Sequence, residues 1–117
     1  MSKASLAIKE GVKVTGGHFD PEMVIILDTA RNTAPAMYDN TVWVTSANDS
    51  KHMAKSLHYE DRAFDIRIRN IMGDISNNAR LWVKAMKIIL GDDYDVILEK
   101  DHIHAEYQPK PGGTMET

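Results

Sequence analysis

Four of the chain's five histidines stand in two places, and acids lie close to both. His52 and His58 fall in and just after a long polar stretch, whereas His102 and His104 fall on what reads as the last strand. Asp65 follows His58 on the open side of the next strand, and Asp101 shortly precedes His104. The chain has no cysteine. Disulfides, thiolate zinc fingers, iron–sulfur clusters and a cysteine nucleophile are therefore excluded, and a metal would need His, Asp or Glu. His58, Asp65 and His104 offer two imidazoles and a carboxylate, a set that suits zinc and leaves a fourth position for water. Water on zinc reaches a pKa of about 7, which supplies hydroxide near neutral pH. The same set also suits iron or manganese. Read singly, each residue has a plainer role: a solvated loop histidine, an acid paired with Arg67 or Arg69, an exposed strand histidine.

The positions of these side chains depend on the strands that carry them. Residues Arg62 to Arg69 (RAFDIRIR) alternate, with Phe64, Ile66 and Ile68 on one face and Ala63, Asp65, Arg67 and Arg69 on the other. By the same rule the stretch His102 to Tyr107 (HIHAEY) puts His102, His104 and Glu106 on one face. Asp101 has the opposite parity, so it reaches that face only through an irregular start to the strand. Tyr94 to Leu98 (YDVIL) is its expected hairpin partner, residues 41–46 (TVWVTS) read as another strand, and Gly11 to Val14 as a short one before the turn-prone Gly16-Gly17. Ala47 to Leu57 reads as an exposed loop.

Two helices complete the pattern. Asp20-Pro21-Glu22 is a helix start, and the helix runs through Met23, Ile26, Leu27 and Ala30 and stops before Pro35. Asp74 or Ser76 caps the second helix, whose apolar positions are Leu81, Trp82, Ala85, Met86, Ile89 and Leu90, with Gly91 as its stop. The expected fold is α+β, a small antiparallel sheet packed against two or more helices. Residues 1–108 form one domain, and 109–117 form a loose tail.

A chain of 117 residues has room for one core. With 43% apolar and 26% charged residues, it balances as a globular protein rather than a disordered one. A net charge of -3 gives no general reason to bind nucleic acid or an anionic membrane. The longest apolar run, Met23 to Leu27, is far short of the ~20 residues needed to span a bilayer. No apolar segment follows the N-terminal lysines, so the expectation is cytoplasmic synthesis without a signal peptide.

Ser56-Leu57-His58-Tyr59-Glu60-Asp61-Arg62-Ala63-Phe64-Asp65 resembles the S-x-H-x-x-G-x-A-x-D motif of the zinc DD-peptidase and Hedgehog-like superfamily. That superfamily includes D-alanyl-D-alanine carboxypeptidases and phage L-alanyl-D-glutamate endopeptidases. Its second signature, an acid three residues before a histidine, is matched by Asp101-His102-Ile103-His104, and the His-Ile-His form resembles the metal strand of Hedgehog domains. The likeness spans roughly residues 40–108. Two positions depart from the pattern. The motif's glycine is Asp61, a residue type that tolerates the left-handed region better than most. Asn48 stands where related enzymes carry a substrate-holding arginine, a task that would fall to Lys51, Arg62 or Arg67.

The resemblance implies a zinc peptidase of the Hedgehog/DD-peptidase fold that acts on peptidoglycan stem peptides. His58, Asp65 and His104 would hold Zn2+, Asp101 would be the general base, and His102 would stabilise the oxyanion or stand in for Asp101. Ser56, Arg62 and Arg67 would contact substrate; Glu106, by its shared parity with His102 and His104, either supports the metal ligands or simply faces solvent. A small domain of this kind fits a phage endolysin or a virion-associated protein that meets the cell wall after release. The rival expectation is a catalytically inactive metal- or protein-binding module of the same fold, or a phage structural protein whose metal clamps the sheet.

Overall fold

The computed structural model describes residues 3–10, 21–48 and 62–109. The fold is α+β, and its described elements run β1 (Ser5–Ile8), α1 (Pro21–Thr33), β2 (Thr41–Asn48), β3 (Arg62–Arg67), α2 (Ile75–Leu90), β4 (Tyr94–Leu98) and β5 (His102–Tyr107). The strands form one sheet in the order β1-β2-β3-β5-β4. It is mixed rather than purely antiparallel, because β1 pairs with β2 in parallel while the other pairs are antiparallel. The expected strand at Gly11 to Val14 lies outside the described residues, as does the tail beyond Pro109.

Strand β1 belongs to the sheet through tertiary bonds. The Ala4 N–H donates to the Arg31 carbonyl at 3.2 Å, and Arg31 Nε donates back to the Ala4 carbonyl at 2.8 Å. The same exchange closes the end of α1, whose last carbonyls have no partner within the helix. Thr33 Oγ1 donates to the Thr29 carbonyl at 2.7 Å, and the buried indole of Trp82 donates to the Ala30 carbonyl at 3.2 Å. Helix α2 follows its sequence signals closely. Asp74, not Ser76, is the cap: its carboxylate accepts from the Asn77 N–H at 3.1 Å. Gly91 ends the helix at φ 82°, a value that favours glycine, and its N–H donates to the Lys87 carbonyl.

The core lies between the helices and one face of the sheet. It joins Met23, Ile26, Leu27 and Ala30 of α1 and Ala79, Trp82 and Met86 of α2 to Val42, Val44, Phe64, Ile66, Val96, Ile103 and Ala105 of the strands. Leu81 and Ile89 are exposed, so the buried stripe of α2 is narrower than its apolar composition. Strand β2 extends through Ala47 to Asn48, where the sequence suggested a loop. A bulge makes this possible. Val44 faces Ile66, but Ser46 already faces Asp65, so Thr45 is an extra residue in β2. The shift turns Ala47 toward the core and leaves Thr45 and Ser46 with the opposite, open face of the sheet.

Asn70 ties the segment before β2 to the end of β3. Its Nδ2 donates to Asp39 Oδ1 and to the Thr41 carbonyl, both at 2.9 Å, and the Trp43 indole donates to Asp39 Oδ2 at 2.8 Å. The hydrogen bond from Asn70, then that from Trp43, hold the Asp39 carboxyl below its ordinary 3.8. A carboxylate with a depressed folded pKa stabilises the fold above its unfolded pKa, and that contribution is lost as pH falls through the folded value. Asp39→Ala should cost about 1 kcal/mol at neutral pH, a small value because Asp39 is exposed. The difference from the native chain should shrink below pH ~4, as read from urea midpoints across pH. A difference that stays constant into acid would remove the carboxylate's role.

Candidate functional site

Among the described residues, both helices pack on one face of the sheet, and the other face gathers the polar chemistry. Strand alternation sends Asp65 and Arg67 of β3 and His102, His104 and Glu106 of β5 to that open face, while Phe64, Ile66, Ile103 and Ala105 enter the core. Register then sets the neighbours. Asp65 lies opposite His104, and Arg67 lies opposite His102.

His104 sits between two carboxylates. Its Nδ1 is 2.9 Å from Asp65 Oδ1, and its Nε2 is 2.9 Å from Glu106 Oε1. Gln108 Nε2 donates to the other Glu106 oxygen at 3.3 Å. Burial works against the His104 imidazolium, but the hydrogen bonds of Asp65 and Glu106 outweigh it and raise its pKa above 6.5. On the other side of Asp65, His102 Nε2 stands 3.6 Å from the same Oδ1. Asp65 Oδ1 is thus shared by two imidazoles of one strand.

Asp101 resolves its parity problem by lying just before β5 rather than in it. From that bend its Oδ1 meets His102 Nδ1 at 2.7 Å. The His102 hydrogen bond lowers the Asp101 pKa, so the carboxyl is charged at neutral pH. Its side chain is 84% exposed and open to a ligand. Asp101 and His102 share the lining of a cavity of about 300 Å³ with Lys9, Thr45, Arg67 and Arg69. Arg67 packs its guanidinium 4.9 Å from the centre of the Trp43 ring, an interaction that fixes a long, flexible cation. The chain of contacts Asn70, Asp39, Trp43, Arg67 therefore runs from a turn to the cavity wall.

Five residues proposed from sequence, namely Asp65, Arg67, Asp101, His102 and His104, come together on this face with Glu106. Arg62 heads β3, but its side chain lies outside the described portion, as do Ser56, His58 and Asp61, with His18, Lys51 and His52. Among the described residues, no group of three or more His, Asp or Glu could hold a metal. Lys9 and Trp43 were not anticipated. Lys9 follows a strand that only tertiary pairing reveals, and Trp43 read simply as a strand former. No described helix is long and apolar enough to cross a membrane. Compared with protein-family models, curated proteins and solved structures, the chain matches none.

Proposed function

We propose that the chain is a zinc-dependent peptidase of the Hedgehog/DD-peptidase fold that hydrolyses peptidoglycan stem peptides. One observation carries the reading. Asp65 Oδ1 and His104 Nδ1 converge at 2.9 Å on the open face, while Glu106 takes the far nitrogen of the same imidazole. That donor set fits two of three zinc ligands. With Nε2–H kept on Glu106, a metal would take Nδ1 in place of the proton now between Nδ1 and Asp65, and such outer carboxylates are usual partners of metal-binding histidines. His58, which the motif supplies as the third ligand, would complete the set. Bound zinc supplies a polarised carbonyl and a water of lowered pKa.

The chain's own residues do the remaining work. Asp101, ionised and exposed, accepts the proton of the attacking water and returns it to the leaving amine. His102 holds Asp101 Oδ1 through Nδ1 and so aims the carboxylate. Arg67, braced on Trp43, stands beside them as a contact for substrate. Such a protein would meet its substrate after release from the cell or from a phage particle.

The test is digestion of purified peptidoglycan by zinc-loaded protein, with and without chelator, read by mass spectrometry of the released fragments. Chelator-sensitive new termini are expected. Intact peptidoglycan, from protein shown to hold zinc, would reject the peptidase. The His104 bonds to both carboxylates also close on themselves without a metal, which favours a non-cleaving binding module as the second reading. Within the peptidase reading, Glu106→Ala should weaken zinc binding about ten- to a hundredfold in a chelator competition. Unchanged affinity would mean that Glu106 merely faces solvent.

A further inference from the structure

The cavity of about 300 Å³ is lined, among the described residues, by Lys9, Thr45, Arg67, Arg69, Asp101 and His102. Two strands, β1 and β3, deliver its cations to one place. The Lys9 N–H donates to the Val44 carbonyl at 2.8 Å, which sets Lys9 beside the bulged Thr45 of β2. Arg67 ends β3 opposite His102, and Arg69 follows two residues later. Among the described residues, no carboxylate forms an ion pair with Lys9, Arg67 or Arg69. Among the described residues, the only acid in the lining is Asp101, which is already bonded to His102.

Three positive charges against one negative leave the cavity a formal +2 with His102 neutral, in a chain whose own net charge is -3. Local placement therefore creates this positive field, and a cleft of one sign concentrates ions of the other. Guanidinium groups and a hydroxyl are suited to oxyanions, which they bind by charge-assisted hydrogen bonds. The volume stands at the small end of ligand sites, enough for an oxyanion on a short carrier.

We infer that this cavity is a binding site for a dianionic oxyanion, of the phosphate monoester or short dicarboxylate class, held by Lys9, Arg67 and Arg69 with Thr45. A dianion balances the +2, whereas a monocarboxylate leaves half of it unmatched. The site needs neither bound metal nor hydrolysis, so it stands or falls apart from the peptidase.

The experiment titrates inorganic phosphate, malonate and acetate into the full chain, with chelator present, at fixed ionic strength and a pH where phosphate is mostly dianionic. Amide resonances around Lys9, Thr45, Arg67 and Arg69 report binding. Saturable shifts confined to these residues are expected, with either dianion at least tenfold tighter than acetate. Phosphate tighter than malonate would assign the monoester, and the reverse order the dicarboxylate. The double variant Lys9→Gln/Arg69→Gln changes two exposed side chains and should weaken phosphate binding tenfold or more. Arg69→Gln alone carries the same test if the double variant fails to fold. Non-saturating shifts spread over the surface, acetate as tight as phosphate, or unchanged affinity in the folded variant would each overturn the site.

Discussion

In the proposed peptidase, Asp101→Ala will cut hydrolysis of peptidoglycan stem peptides about a hundredfold to ten-thousandfold, the usual worth of a positioned acid–base group, and leave zinc binding intact. Asp101 stands outside the proposed ligand set of His58, Asp65 and His104, so metal content should survive its loss. Its carboxyl is held charged by His102 and lies 84% exposed beside the cavity, which suits a base that must meet both water and substrate. His102→Ala should cost less, about tenfold, since the carboxylate remains but is no longer aimed. A second readout separates aiming from mere structure. Without the His102 hydrogen bond the Asp101 pKa rises, so the acid limb of the kcat/KM profile should move to higher pH in His102→Ala. Full turnover in Asp101→Ala would end the assignment. A larger loss in His102→Ala than in Asp101→Ala would exchange the two roles.

Trp82→Ala will cost about 3–5 kcal/mol of folding stability, the range for truncating a large buried aromatic. Trp82 is 1% exposed and among the largest side chains in the core. It also performs a second task, because its indole N–H donates to the Ala30 carbonyl in the last turn of α1. Truncation therefore opens a cavity and orphans a helix-end carbonyl in one change. Trp82→Phe keeps most of the ring and drops the donor, so its cost should be about 1–2 kcal/mol. Urea unfolding followed by circular dichroism measures both. A loss under about 1 kcal/mol for the alanine variant would show that the core refills the space.

The elements most legible in the sequence are those whose signals are local. Asp74 and Gly91 bracket α2, Pro21 opens α1, and the β4–β5 hairpin follows from two short β-prone runs on either side of a tight turn. Alternation also placed Asp65 on the open side of its strand and His102, His104 and Glu106 together on one side of theirs, and the register between β3 and β5 joins the two. Strand β1 was not legible, because Ser5–Ile8 gains its place from a parallel partner at Thr41–Val44 and from Arg31. The bulge at Thr45 was equally hidden. Nothing in TVWVTS marks the extra residue that turns Ala47 inward. Asp101 reaches His102 from outside the strand, where a parity rule has no force.

The two tryptophans occupy opposite sides of one sheet, and this gives the molecule two optical signals. Trp82 is sealed in the core against α1, so its emission follows unfolding and is shielded from dissolved quenchers. Trp43 lies on the open face beneath Arg67 and is bonded to Asp39, so its emission follows whatever engages that guanidinium. Replacing either indole with phenylalanine isolates the other, and site occupancy can then be followed in the unlabelled protein separately from fold stability.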